Sequence, residues 1–144
     1  MLLMKKIVIF AGLGVLTLLT SCGKDRTENV DLVGQWSIRA YNPVEVSSYS
    51  LVETDHDYRF EFDGDGAFYC GTDCNSISGT FTVIGDSLRF DNMAATEMAC
   101  ENEALERAMK LALPAVRTVE LISDSVLSLK EDHGNVVVEL VRVK

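Results

Sequence analysis

The chain has 144 residues, 24% of them charged and 47% apolar, which suits one globular domain and not two. Its 13 Lys and Arg against 22 Asp and Glu give a formal charge of −9, and without a basic stripe a phosphate backbone would be repelled, so nucleic acid is excluded as a partner. Two histidines, His56 and His133, and one tryptophan, Trp36, leave little material for the acid–base pairs or metal clusters on which most enzymes depend.

The chain begins with a targeting pattern. Lys5 and Lys6 precede an apolar run from Ile7 to Leu19, shorter than the ~20 residues that span a bilayer as a helix, so residues 1–21 read as a signal peptide. The run closes in Leu19-Thr20-Ser21-Cys22, which resembles the lipobox at which bacteria acylate a cysteine and then cleave before it. Cys22 is therefore the expected lipid attachment site and the first residue of the mature chain. Two or more acyl chains hold a domain durably at a membrane without a spanning helix, so the expected location is the cell envelope, at the outer membrane. Cleavage removes only Lys5 and Lys6 among charged residues and leaves a formal charge of −11, which favours a soluble, monomeric domain and offers no polybasic lipid site. Residues 22–31 are polar and without hydrophobic period, and read as a tether, with the domain spanning 32–144.

Strand periodicity follows. Trp36, Ile38 and Ala40 alternate with Gln35, Ser37 and Arg39, a half-buried strand, and a second strand is expected after Pro43. Glu53, Asp55, His56 and Asp57 are expected in a solvated loop. Tyr58, Phe60 and Phe62 share one face of the next strand, and Gly64-Asp65-Gly66 turns it into a hairpin with Ala67-Phe68-Tyr69. Glu61, Asp63 and Asp65 with Gly66 imitate the opening of a calcium loop. Thr72 stands where that loop needs a bidentate Glu, so a plain turn is preferred. Further strands are expected over Thr80–Ile84, Ser87–Phe90, Thr118–Ile122, Val126–Lys130 and Asn135–Val143, for eight or nine in all.

One segment has the other period. Leu105, Ala108, Met109, Ala112 and Leu113 fall on one stripe of a helix, with Glu103, Glu106, Arg107 and Lys110 on a charged opposite face paired at i, i+4. Asn102 can cap its start and Pro114 is expected to stop it. The class is α+β, mainly β: an antiparallel sheet with one amphipathic helix covering its apolar face.

Once Cys22 is acylated, Cys70, Cys74 and Cys100 remain, an odd count that allows at most one internal disulfide with three possible pairings. The same thiols with Met98 or His56 are soft ligands for Zn²⁺ or Cu(I), but Cys-x₃-Cys lacks a second paired half, and no metal or other cofactor is expected. No Gly-x-Ser-x-Gly turn or Gly-rich phosphate loop is present, so catalysis is not expected.

Four segments then carry a resemblance. Gly71-Thr72-Asp73-Cys74-Asn75, Ser78-Gly79-Thr80-Phe81, Leu88-Arg89-Phe90 and Thr96-Glu97-Met98-Ala99-Cys100 resemble, in this order, the META domain family of HslJ-type heat-shock proteins. The resemblance implies a small curved or barrel-like antiparallel sheet with a helix packed on it, in secreted proteins or lipoproteins, with no known catalysis. Its members are associated with envelope stress and, in some bacteria, antibiotic resistance. It also implies a disulfide between Cys74 and Cys100 and structural roles for Gly71, Asn75, Gly79, Thr96 and Met98. Asp73 departs from the family's glycine, and Cys70 is a thiol that the pattern does not explain. The functional expectation is a membrane-anchored, non-enzymatic envelope module that binds or supports an envelope protein or ligand. A lipocalin-like carrier of a small apolar ligand and a thiol/Met metal-binding protein are the alternatives.

Overall fold

The computed structural model describes residues 28–43 and 49–144. The signal peptide, Cys22 and most of the tether lie outside the described residues, as do positions 44–48, where a strand was expected after Pro43. Eight strands form one closed antiparallel barrel in simple sequence order: β1 (Gly34–Tyr41), β2 (Val52–Phe62), β3 (Ala67–Gly71), β4 (Ser76–Ile84), β5 (Ser87–Ala95), β6 (Thr118–Ser123), β7 (Val126–Lys130) and β8 (Val136–Arg142). The helix α1 (Ala104–Ala115) connects β5 to β6. The expected mainly-β architecture with a single helix is the one observed.

Inward alternation builds the core. Trp36 pairs with Phe60 across β1 and β2, Phe62 with Phe68 across β2 and β3, and all four are buried. Phe68 and Phe90 meet edge-on with centroids 4.7 Å apart, and Phe60 and Phe62 lie 5.0 Å apart. Such rings, in contact with one another, occupy the interior of a small eight-stranded barrel. Closure comes from β1 and β8, where Ile38 faces Leu140.

The seam between β5 and β6 is thin, with one register pair, Ser87 opposite Thr118. Leu105, Ala108, Met109 and Leu113 of α1 complete the core, and the helix packs against β5. The N-cap is Glu103, without a side-chain capping bond, and Asn102, expected to cap the helix, stands one position earlier with its Oδ1 accepting the Ala104 amide at 3.1 Å. Pro114 does not stop the helix where expected: it sits inside the last turn and the helix runs to Ala115. Proline lacks an N–H but leaves the Val116 amide free to close on Ala112.

The sequential strand order puts the start of β1, the 63–66, 85–86 and 124–125 turns and the end of β8 at one end, called N-terminal here. The distal end carries the 72–75 turn, the 96–103 segment and the 131–135 turn. Several boundaries differ from expectation: β4 begins at Ser76 and not Thr80, and β5 runs to Ala95 and not Phe90. Glu53, Asp55, His56 and Asp57 lie in the first half of β2 and not in a loop. They are solvent-exposed there, so no apolar alternation marks the strand. Ordered contacts begin upstream of Leu32: Asn29 Oδ1 accepts the Gly85 amide at 2.7 Å, and the Val30 amide donates to the Gly85 carbonyl at 3.1 Å. Among the described residues no helix is long and apolar enough to cross a membrane.

Candidate functional site

Two of the four motif segments, 71–75 and 96–100, meet at the distal end around Asn75. The 72–75 turn is closed by the Thr72 amide and hydroxyl, each donating to the Asn75 carbonyl at 2.9 Å. A disulfide joins Cys74 to Cys100, with Cα atoms 6.3 Å apart, and fastens this turn to the segment ahead of the helix. Asn75 is only 5% exposed, so its amide must find partners inside the protein. Its Nδ2 donates to the Met98 carbonyl at 3.0 Å and to Glu106 Oε2 at 2.8 Å. Its Oδ1 accepts the Met98 amide at 2.8 Å and the Thr96 hydroxyl at 3.1 Å. Thr96 Oγ1 in turn accepts the Ser76 amide at 3.0 Å. Asn75 thus stitches the start of β4, the segment after β5 and α1 into one network, a task for which a side chain needs both two donors and an acceptor.

Glu106 is the member that sequence reasoning missed. It was expected on the charged outer face of α1, yet it is only 5% exposed. Lys110 Nζ lies 2.6 Å from its Oε1, and this contact, followed by the Asn75 hydrogen bond, lowers the Glu106 pKa below the ordinary carboxylate range. Lys110 is raised by the same contact, with the fields of Glu97 and Glu103 adding to it. Glu106 sits beside Leu105 and three positions before Met109, on the flank of the apolar stripe, and that was the available signal. Above this pair opens a cleft of about 320 Å³, with Asn75 and Glu106 as its buried lining and Glu97, Met98, Ala99, Glu103, Arg107 and Lys110 as its walls. The size falls within the range of small-ligand sites. The Asn75 amide is fully engaged within the protein, so what the cleft offers a ligand is its charged rim and the exposed Met98 side chain.

The remaining sequence-singled residues are dispersed. Gly79 lies at an irregularity where β4 meets β5, opposite Asn92 with its positive φ of 51°. A Cβ at Gly79 would come 2.6 Å from the Asp91 carbonyl oxygen, so only glycine fits. A Cβ at Gly71 meets ordinary contacts of 3.5 Å, and nothing in its surroundings explains a glycine there. Asp73, the departure from the family pattern, accepts a 2.6 Å hydrogen bond from the Tyr58 hydroxyl. Burial and then Asp73 push that hydroxyl up to about 12. Cys70 is a fully buried core residue whose thiol burial pushes up to about 12, a hydrophobe in effect. The set Cys70, Cys74, Cys100 with Met98 or His56 is therefore not a thiol metal site: two of its sulfurs are bonded to each other, the third is in the core, and His56 is exposed on β2. Asp63 Oδ1 accepts the Asp65 and Ala67 amides, which makes the calcium-like run a hydrogen-bonded turn. At the 131–135 turn, ligating atoms of Glu131, Asp132 and His133 lie within 4.8 Å of one another, and Glu131 already binds Asn135 and His133.

The family model of the META domain matches residues 30–144. The chain belongs to the META domain family. In this META domain the Asn75 network is built by two of the motif segments, 71–75 and 96–100, while Gly79 serves the β4–β5 irregularity. Its fold is similar to that of a protein from Burkholderia xenovorans solved by NMR, at 18% identity and a TM-score of 0.60, over 78% of this chain and 84% of that one. It is also similar to the crystal structure of a duf4847 family protein from Bacteroides vulgatus, at 13% identity and a TM-score of 0.54, over 78% of this chain and 94% of that one. At such identities the likeness is one of fold. A comparison with curated proteins finds no match.

Proposed function

We propose that the chain is a bacterial envelope lipoprotein, held at the outer membrane through acylated Cys22, whose META domain is a non-enzymatic binding or support module in the envelope-stress setting with which the family is associated. The observation that carries this reading is the Asn75 cleft at the distal end of the barrel, opposite the end where the chain enters from Cys22. Its lining contains no Ser, Cys or His, and its buried carboxylate is neutralised by Lys110, an arrangement suited to holding shape and offering a charged rim. A lipocalin-like carrier is disfavoured by the aromatic side chains that occupy the barrel interior.

Two measurements test the proposal. Mass analysis of the native protein is expected to find a diacylglycerol on Cys22 and no residues before it. A photo-crosslinker at exposed Met98 in the anchored protein is expected to capture an envelope component, and Asn75→Ala is expected to abolish the capture. Catalytic turnover by the purified domain, or identical capture by the Asn75 variant, contradicts the reading.

A further inference from the structure

We infer that the N-terminal end of the barrel rests on the lipid surface, with Ile84, Ile122 and Val143 among the side chains at the contact. The inference builds on the lipid-anchor reading above. Ten large hydrophobic residues are exposed among the described ones, and five of them lie at this one end: Ile84 at 69%, Ile122 at 56%, Val33 at 50%, Val143 at 44% and Leu121 at 43%. The other five lie elsewhere, Tyr49 and Val52 at or before the start of β2, Tyr69 on β3, Met98 in the 96–103 segment and Leu111 on α1.

Topology explains the concentration. The Val119 amide donates to the Asp86 carbonyl at 2.8 Å, and β6 then runs on beyond the start of β5, carrying Leu121 and Ile122 past the barrel wall. The Arg142 amide donates to the Ser125 carbonyl at 2.8 Å and the Val143 amide to the Gln35 carbonyl at 3.0 Å, which holds the end of β8 against the 124–125 turn and the start of β1. The chain ahead of β1 crosses this same end. Val30 is bonded to Gly85 next to Ile84, and the Arg142 guanidinium, 4.2 Å over the Trp36 ring, donates to the Val33 carbonyl at 3.2 Å.

Tether length chooses the occupant. Seven positions separate Cys22 from Asn29, a span of at most ~25 Å when fully extended, so acylated Cys22 holds this end and not the distal one against the bilayer. Exposed Asp31, Asp86 and Asp124 flank the apolar side chains. The matching surface is therefore zwitterionic, with the hydrophobic chains lying among headgroups and anionic lipid weakening the contact.

The test uses the acylated mature chain in phosphatidylcholine vesicles containing brominated acyl chains, with Ile84→Trp at the N-terminal end and Val52→Trp at the distal end. Trp36 is buried and supplies a constant background. About twofold quenching of the Ile84→Trp emission, with little for Val52→Trp and less for both when phosphatidylglycerol is added, is expected for a domain resting at headgroup depth. Equal quenching at both positions, or none at either, with the lipid present on Cys22 overturns this inference and leaves the anchor intact. So does dimerisation, or cross-linking of position 84 to another protein, in place of quenching. A native chain whose Cys22 carries no lipid overturns both.

Discussion

Asn75 Nδ2, on the turn between β3 and β4, donates a 2.8 Å hydrogen bond to Glu106 Oε2 on α1, 31 positions further along the chain. Both side chains are buried, so removing one leaves one polar atom of the other without its partner, although Lys110 still holds Glu106 Oε1 and Met98 and Thr96 still hold Asn75. Asn75→Ala strands the Met98 amide as well as Glu106 Oε2, and is expected to cost about 3 kcal/mol in chemical denaturation. Glu106→Gln keeps the acceptor oxygen and loses the Lys110 charge pair, so it should cost clearly less. A double-mutant cycle that finds the two sites additive would show that the bond carries no stabilisation of its own.

Gly79 is the sequence motif's other steric requirement. Its absent Cβ leaves room for the Asp91 carbonyl and for Phe68 Cε1, which would stand 2.6 and 3.0 Å away. Backbone cannot retreat from such a contact without disturbing the β4–β5 register, so Gly79→Ala is expected to destabilise by about 2 kcal/mol, against a near-neutral Gly71→Ala. Thermal unfolding of the two variants side by side checks the contrast.

What the sequence disclosed follows a physical divide. Strands with one face inside the barrel, such as that of Trp36, Ile38 and Ala40, declare themselves by period two. The first half of β2 has both faces in solvent, so its residues carry no such mark. β5 is longer than its alternation suggests because the irregularity at Gly79 and Asn92 shifts its inward face from Leu88 and Phe90 to Met93 and Ala95, whereas β4 keeps its phase but has Gly79 at an inward position that carries no apolar side chain. The disulfide pairing came from resemblance and the helix from its apolar stripe. Glu106 was hidden because a Glu and a Lys four apart read as a surface pair whether or not a buried asparagine lies beneath.

The 131–135 turn adds a second depressed carboxylate, beside Glu106, on which acid stability depends. Burial alone would raise Glu131, but hydrogen bonds from His133 and from the Asn135 backbone outweigh it and hold the group at about 2, against an ordinary 4.5. The Asn135 side chain donates to it as well, at 2.8 Å. A carboxyl depressed in the folded state binds protons more readily when unfolded. Its stabilisation is therefore present above pH 4.5 and is lost as the pH falls towards 2. His133 is raised by Glu131 and then by the Asp132 charge, so its contribution has the opposite sign: complete below 6.5 and lost as pH rises through the elevated value. Glu131→Gln is expected to flatten the acid limb of the melting temperature plotted against pH. An unchanged acid limb would mean that the turn opens before the rest of the barrel.

Thiol reactivity separates the three sulfur environments. Cys70 is fully buried with its thiol pushed up to about 12, and Cys74 and Cys100 are joined to each other, so the folded mature chain should react with no thiol reagent at neutral pH. Unfolding without reductant should release one thiol, Cys70, and unfolding with reductant three, provided that acylation blocks Cys22. A count one higher in each unfolded sample would mean that Cys22 is free. Replacing Cys74 and Cys100 together by serine opens a loop with a sequence separation of 26, and the loss of that constraint on the unfolded chain is expected to cost ~3 kcal/mol. The loss should fall unevenly: hydrogen exchange should quicken in the 96–103 segment, which the disulfide ties to the 72–75 turn, and least in β1 and β8, whose pairing does not involve it.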